Sequence, residues 1–427
     1  MAPKSSYQAT LDEMFALQRF GIKLGLATIR NILKGLGNPQ RQYNCIHVAG
    51  TNGKGSIASG LAAILQAAGY RTGLYTSPHL IDFNERIMVD GRMISDKRVV
   101  DAYRKVKKAH RGSRQPTFFE FTTAMALYEF AEKGVEWAII ETGMGGRLDA
   151  TNIIRPAVSI ISNISLEHRM YLGGSIAEIA GEKGGIIKYR VPVVTGASQP
   201  KARSALTSIA AQKKAPIHCF GKAFRVRRNG DGSFNYYGLE HNWQRLKTSL
   251  VGPHQVDNAA LVLAACESLI RRKKATIDEA HVRKGLQKVH WPGRLEFVGK
   301  APLILLDGAH NLAAARNLAR FLRDNLAKRP ITLVAGILDD KPYRAMLHPL
   351  MQQCRRVIVT RPVIDRALDP GVLYDVAKEV VRNVKQFPTV DEAVAHAVKT
   401  AKRNEVICIA GSLYVVGEAK QALEKLI

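Results

Sequence analysis

Tyr43-Asn44-Cys45-Ile46-His47-Val48-Ala49-Gly50-Thr51-Asn52-Gly53-Lys54-Gly55-Ser56 is the stretch that decides the reading of this chain. The apolar run from Tyr43 to Ala49 reads as a short buried strand. Gly50 to Ser56 reads as a glycine-rich turn, Ile57 to Ala68 as a helix and Thr72 to Tyr75 as the next strand. Strand, glycine loop, helix, strand is the opening of an α/β unit on a parallel sheet. A turn in that position presents backbone N–H groups to an anion. The helix start adds partial positive charge, and a lysine reaches the terminal phosphates. Lys54 is that lysine. The spacing is not GxxxxGK[ST], because Gly55 stands between Lys54 and Ser56. The glycines alone would fit a structural turn; the lysine, the hydroxyl and the preceding strand point to nucleotide phosphate.

Working outward, the two segments Leu11–Phe20 and Leu24–Leu36 carry helical spacing before the loop. After it, helix is expected over Phe118–Lys133, strands over Glu136–Glu141 and Ala157–Ser162, helix over Ile176–Ile187 and strand over Val191–Thr195. Pro216 to Leu250, with its Gly, Asn and aromatic residues in short alternations, suggests a small antiparallel patch. A strong helix is expected over Val256–Ile270. Trp291-Pro292-Gly293-Arg294 interrupts the rhythm. It restarts with strands Leu303–Leu306, Ile331–Ala335, Val357–Thr360 and Val406–Ile409, and helices Leu312–Leu326, Asp391–Lys402 and Val415–Leu426. The fold class is therefore α/β. A P-loop-type ATPase domain with a mostly parallel sheet is expected over residues 1–296, and a smaller Rossmann-like α/β domain over 297–427.

The 427 residues include 63 Lys plus Arg against 36 Asp plus Glu, a net charge of +27. With 46% hydrophobic and 23% charged residues the chain can build real cores, which excludes a disordered or fibrous protein. No apolar window approaches the ~20 residues of a membrane span. Five scattered cysteines without a CxxC pair indicate neither zinc knuckle nor disulfide framework. An apolar signal core is lacking in Met1–Thr10, so a cytoplasmic location is expected. The basic excess raises nucleic acid as a partner. Its densest clusters, Arg104–Arg111 and Arg271–Lys274, carry no interleaved aromatics, so most of the charge reads as solvated surface and no specific nucleic acid is expected.

His47 to Ser56 resembles the ATP loop of the folylpolyglutamate synthases and dihydrofolate synthases of the Mur ligase superfamily. Further blocks look like that family's motifs and stand in its order. They are Tyr75-Thr76-Ser77-Pro78-His79-Leu80, Glu85-Arg86-Ile87, Phe119-Glu120, Glu141 to Asn152, Glu182-Lys183-Gly184-Gly185-Ile186, His254 to Ala260, Trp291 to Glu296 and Asp307 to Asn311. The likeness runs from about residue 20 to 415. Gly184 stands where the family commonly has Ala, and Glu167 where Asp often precedes the histidine.

Read alone, Glu141 is either a surface carboxylate or a ligand at a strand end, where open α/β sheets place their ligands. Ser77 is a turn residue or cap, His168 a satisfied structural histidine and Lys183 a helix-surface lysine. The resemblance implies more. Asn52, Gly53, Lys54, Gly55 and Ser56, with Asn258, Arg294 and Asp307, would bind ATP. Ser77, Glu141, His168 and Lys183 would hold Mg²⁺, with Lys183 N6-carboxylated. Lys54, Lys183 and His310 would serve catalysis. Phe119 and Glu120 would meet the folate or pteroate, as would the segment Phe20–Leu24, although Phe118, Phe119 and Phe121 equally suit a core.

The implied reaction is ATP-dependent amide ligation. The γ-phosphoryl group passes to an acceptor carboxylate, and the amine of L-glutamate attacks the acyl phosphate. The acceptor would be dihydropteroate, a reduced folate or both, and the enzyme a monomer. A UDP-sugar ligase of the same superfamily is disfavoured by the blocks at 75–80 and 291–296. A non-enzymatic nucleic-acid-binding protein rests on the charge alone.

Overall fold

The computed structural model describes residues 6–21 and 23–426. Two compact units are present, one made of the chain up to Ser249 with Gln255–His290, the other of Leu250–His254 with Trp291 onward.

The first unit is built on eight strands: β1 (Asn44–Ala49), β2 (Thr72–Tyr75), β3 (Ile87–Val89), β4 (Arg92–Met93), β5 (Trp137–Glu141), β6 (Val158–Ile161), β7 (Val193–Thr195) and β8 (Ile217–Cys219). Their order across the sheet is β4-β3-β2-β5-β1-β6-β7-β8, paired in parallel except that β3 runs antiparallel to both β2 and β4 at one edge. The middle strands are covered on both faces, so their residues are buried almost without alternation, as parallel strands require. On one face lie helices Ser6–Ala16, Ala27–Gly35, Asp96–Ala109 and Phe118–Glu132, around a core that includes Met14, Ile32, Val99, Phe121 and Phe130. Ile179, Leu206 and their neighbours, from helices Ile176–Gly184 and Pro200–Gln212, cover part of the other side.

β1 lies between β5 and β6, with Val48 level with Glu141 and Ala49 level with Ile161. The chain leaves β1 toward β2 on one side and later adds β6 on the other. This is the reversal point at which an open α/β sheet forms its crevice. The loop from Gly50 opens there and feeds helix Lys54–Ala67. That helix is rich in small residues because it is enclosed. Val262 sits against Gly60, and helix Glu279–Lys288 packs so closely that a Cβ on Gly285 would lie 2.6 Å from the Ile64 Cα.

The antiparallel patch is a three-stranded sheet of β9 (Arg225–Arg228), β10 (Phe234–Tyr237) and β11 (Asn242–Leu246). It starts later than Pro216, because Ile217–Cys219 pairs in parallel with β7 and closes the main sheet. Helix Lys54–Ala67 starts three residues before Ile57, since the lysine and Ser56 already belong to its first turn. The helix at Ile176 ends at Gly184 rather than Ile187, where Gly184-Gly185 gives the chain no side chain to continue the pattern.

The second unit has β12 (Glu296–Val298), β13 (Leu303–Asp307), β14 (Ile331–Ala335), β15 (Arg356–Val359), β16 (Asn383–Gln386) and β17 (Val406–Ala410) in the order β12-β13-β17-β14-β15-β16. Only β12 runs antiparallel to its neighbour. Leu305, Leu318, Leu322, Leu333, Leu347, Val357 and Leu373 anchor its core. Mixed α/β with a mostly parallel eight-stranded sheet and a second, smaller sheet is the architecture the sequence implied.

Candidate active site

The loop after β1 is held by its carbonyl side. The Asn52 carbonyl accepts from Ser162 Oγ at 2.7 Å and from Asn163 Nδ2 at 3.0 Å, while Asn52 N donates to Asn163 Oδ1 at 3.0 Å. Thr51 N donates to the Asn163 carbonyl at 2.9 Å. Strand β6 and the residues just after it thus grip the loop from one side. Gly53 takes the position before the helix with φ 85° and offers no capping side chain. The N–H groups of Lys54, Gly55 and Ser56 then have no intrahelical acceptor, which is the donor array an anion needs.

Beside this loop three sequence-expected residues meet. Lys54 Nζ lies 3.9 Å from Glu141 Oε1 and donates to the Thr51 carbonyl at 3.3 Å. Glu141 Oε2 accepts from Ser77 N at 3.3 Å. The side chain of Glu141 is 5% exposed, so this carboxylate is no surface group. Asn258, on helix Pro253–Arg271, reaches Gly53 so closely that a Cβ there would stand 2.6 Å from its Oδ1. Gln255 holds the Asn258 amide, accepting from Nδ2 at 2.9 Å.

Lys183 is the clearest departure from a bland reading. It is 1% exposed, and its Nζ donates to the Gly50 carbonyl and to Glu167 Oε1, both at 2.7 Å. Burial lowers its pKa to about 8, with Glu167 working in the opposite direction. Burial alone would raise the Glu167 carboxyl, but Lys183 and Lys54 outweigh it and hold the group at about 2. Glu167 did not stand out as a site residue in the sequence; its only signal was its place before His168. His168 itself has φ 45° at the start of the short helix Arg169–Leu172. Among the described residues no group of three His, Cys, Asp or Glu side chains is placed to hold a metal ion by itself.

Glu120 is 2% exposed and closes a capping box on helix Phe118–Glu132. Its carboxylate accepts from Thr117 N at 2.8 Å and Thr117 Oγ1 at 3.0 Å, and it pairs with Arg114. Phe119 lies against Gly143, in the turn after Glu141, and 6.1 Å from the Tyr75 ring. In the segment Phe20–Leu24, Ile22 and the Phe20 side chain lie outside the described residues. Asp149 orders the same turn, accepting from Met144 N at 2.9 Å and from Thr151 N and Oγ1.

The second unit gathers the other three expected residues at the end of β13. Asp307 accepts from Leu295 N at 2.9 Å and Ala309 N at 3.0 Å, and burial raises its carboxyl despite Arg294 nearby. Arg294 Nη1 donates to the Gly308 carbonyl at 3.0 Å, and His310 Nδ1 donates to the same carbonyl at 2.8 Å. Asn311 caps helix Leu312–Leu326 immediately after.

The chain matches the Mur ligase middle domain over residues 48–266 and the Mur ligase glutamate ligase domain over residues 293–413. The fold and the loop therefore define a Mur-type ligase. The dihydrofolate synthase/folylpolyglutamate synthase of Bacillus subtilis is 35% identical, covering 98% of this chain and all of that protein. Escherichia coli FolC in complex with DHPP and ADP superposes with a TM-score of 0.90 at 28% identity over 98% of both chains. The bifunctional folylpolyglutamate synthase/dihydrofolate synthase of Yersinia pestis complexed with AMPPNP and Mn ion gives 0.88 at 30% identity, over 99% of this chain and 100% of that one. The chain belongs to the folylpolyglutamate synthase and dihydrofolate synthase family of Mur ligases.

Proposed function

We propose that this protein is an ATP-dependent ligase that adds L-glutamate to a folate-type acceptor, either dihydropteroate, a reduced folate or both. The carrying observation is the group formed at the sheet's reversal point, where the amide loop Gly53–Ser56, Lys54, Glu141 and Ser77 converge.

Gly53, Gly55 and Ser56 offer the triphosphate main-chain and hydroxyl donors, Asn52 is assigned to it on the family pattern, and Lys54 offsets its terminal charge. Asn258 fixes the loop from the helix side. Arg294 and Asp307 are assigned to the nucleotide and His310 to the incoming glutamate or reaction centre, on the family pattern. Phe119 and Glu120 are assigned to the acceptor. Glu120 acts through the ordered start of its helix, because its carboxylate is already engaged.

Divalent metal suits the residues present. Ser77 and Glu141 supply oxygen and stand together, while phosphate oxygens and water complete the shell of a hard cation. When bound, Mg²⁺ neutralises charge developing on the phosphates. His168 and Lys183 are the further candidate ligands. Carboxylation of Lys183 requires the neutral amine, which burial favours by lowering its pKa. It would set a second anion beside Glu167, so cation and modification belong together.

In the reaction an acceptor carboxylate oxygen attacks the γ-phosphorus, and the bond to the bridging oxygen breaks with its electron pair leaving on ADP. The glutamate amine then attacks the acyl carbon and displaces phosphate, losing a proton as the amide forms. Carboxylate oxygen is a poor leaving group, which is why phosphorylation must come first. Binding, orientation and exclusion of water are the protein's tasks.

The test is a panel of dihydropteroate, dihydrofolate and tetrahydrofolate with ATP, Mg²⁺ and glutamate, scored by product mass. A product one glutamate heavier, formed with ADP, supports the reading. ADP release that no acceptor stimulates refutes it.

A further inference from the structure

Arg86 and His79 form a pair that the reaction above leaves unused. Arg86 ends the short turn Phe83–Arg86, and its Nε donates to His79 Nδ1 at 2.7 Å. A guanidinium has donors only. The Nδ1 of His79 must therefore accept, and the ring proton sits on Nε2. The imidazole is fixed as one tautomer by its neighbour, not left to choose.

The ring's position is fixed as well. Phe15 lies 6.4 Å away and Phe83 6.2 Å away, the latter edge-on. Phe15 stacks on Phe118 at 5.6 Å, and the Arg86 guanidinium lies 5.2 Å over the Phe118 ring. His79 is only partly buried, and among the described residues Nε2 has no recorded acceptor. The result is a rigid N–H donor, oriented at some cost in buried charge and packing, with no acceptor for its proton among the described residues.

Its place suggests the recipient. Ser77 precedes it by two residues, so the two Cα atoms are at most about 7 Å apart. Phe118, in the same aromatic group, precedes Phe119 and Glu120. The donor thus stands close in the chain to a group assigned to metal and, through the aromatic group, near those assigned to the acceptor. The acceptor brings a carboxylate to this side, and that carboxylate must present one oxygen to phosphorus. A neutral N–H orients the other oxygen while leaving the attacking one its electron density. A cation in the same place would withdraw more of it.

We propose that His79 Nε2–H holds the reacting carboxylate of the acceptor, and that Arg86 is the positioning residue that fixes this tautomer. The proposal rests on the ligase reading given above.

The test combines spectroscopy with kinetics. In protein labelled with ¹⁵N-histidine, the His79 resonances, assigned with His79→Gln, should show an acceptor-type Nδ1 and a protonated Nε2. Arg86→Met should abolish this single tautomer. In turnover, His79→Leu should raise the acceptor KM roughly 10- to 100-fold, the loss of one hydrogen bond to a charged group, and leave the ATP KM unchanged. His79→Gln, whose amide can both accept from Arg86 and donate onward, should recover most of the loss. Arg86→Met should follow His79→Leu in direction. A wild-type Nδ1–H tautomer overturns the proposal. So does an unchanged acceptor KM in folded His79→Leu, or an equal rise for ATP and acceptor, which marks a structural role only. Should wild type ligate no acceptor at all, the ligase reading fails and this proposal with it. Normal wild-type turnover with indifferent variants removes the His79 role alone.

Discussion

Gly53→Ala probes the proposed phosphate loop at the residue that precedes its helix. Gly53 has φ +85°, and the added Cβ would fall 2.6 Å from Asn258 Oδ1 and 3.0 Å from its Cγ and Nδ2. Left-handed backbone costs an alanine roughly 1–2 kcal/mol. The clash adds to this, because Asn258 is 8% exposed and its amide is held by Gln255; retreat sacrifices a buried hydrogen bond, about 1 kcal/mol. The sum, roughly 2–3 kcal/mol, is either borne as lost stability or relieved by moving the loop away from its anion-binding form. If relieved, it corresponds to a loss of about 30- to 150-fold in ADP affinity.

Gly69→Ala is the matched control. Its φ is +88°, the same region, yet nothing lies within 4 Å of the new Cβ. It carries the strain without the clash and stands outside the loop. Calorimetric titration with ADP and Mg²⁺, alongside thermal unfolding, separates the two contributions. Gly69→Ala should lower Tm slightly and bind ADP as wild type does. Gly53→Ala should lose affinity, and the added change Asn258→Gly should restore part of the stability by removing the clash while leaving binding impaired. Wild-type ADP affinity together with a Tm no lower than that of Gly69→Ala would refute the reasoning.

Three further outcomes are expected. Glu267 is fully buried and accepts five hydrogen bonds, from Tyr236 Oη, the amides of Leu239, Glu240 and His241, and the His241 ring; Glu267→Gln turns an NH₂ toward those donors and should cost roughly 2–4 kcal/mol in urea unfolding, whereas less than about 1 kcal/mol would contradict it. With ¹³C-bicarbonate and Mg²⁺, a carbamate resonance should appear in wild type and be missing from Lys183→Arg; a wild-type spectrum without it removes the modification. Burial pushes the Cys45 and Cys266 thiols up to about 12, so near pH 8 only about one in ten thousand is ionised. Thiol reagents should label both at the rate of unfolding and promptly in urea, and fast native labelling would show that the cores are open.

Strands Thr72–Tyr75 and Ile331–Ala335 are buried at every residue and fall where the pattern puts them, and helix Leu312–Leu326 was legible from the amphipathic spacing of its apolar residues. Arg104–Arg111 read as a charge cluster, yet most of it belongs to helix Asp96–Ala109, whose Val99, Tyr103 and Val106 face the core beneath a basic outer side. The short strands β3, β4, β8 and β12 carry too little pattern to register alone, whereas β7, equally short, is wholly buried and lies in the apolar run expected over Val191–Thr195. Helix Pro200–Gln212 is rich in Ala and Ser, and helix Glu279–Lys288 is mostly polar, so neither announced itself.

The strand, glycine turn and helix of the proposed phosphate loop were readable because they are local: strand, glycines, lysine and helix start lie within 14 residues of one another, Tyr43 to Ser56. Its supports were not. Asn163 lies 111 residues from Asn52, and Lys183 lies 133 from Gly50. Only the sheet order brings such pairs together. The same holds for Glu267, which nothing in its own helix distinguishes from any other carboxylate. Arg86 and His79 are only seven residues apart, but whether the guanidinium meets Nδ1 depends on the turn between them.

The central claim concerns where the triphosphate sits. A crystal grown with a non-hydrolysable ATP analogue and Mg²⁺ tests it most directly. The β- and γ-phosphates should lie on the amides of Gly53 to Ser56, within hydrogen-bond distance of Lys54 Nζ, with the metal on the side of Ser77 and Glu141. Nucleotide density away from this loop, or phosphates contacting neither Lys54 nor the amides, would contradict the account.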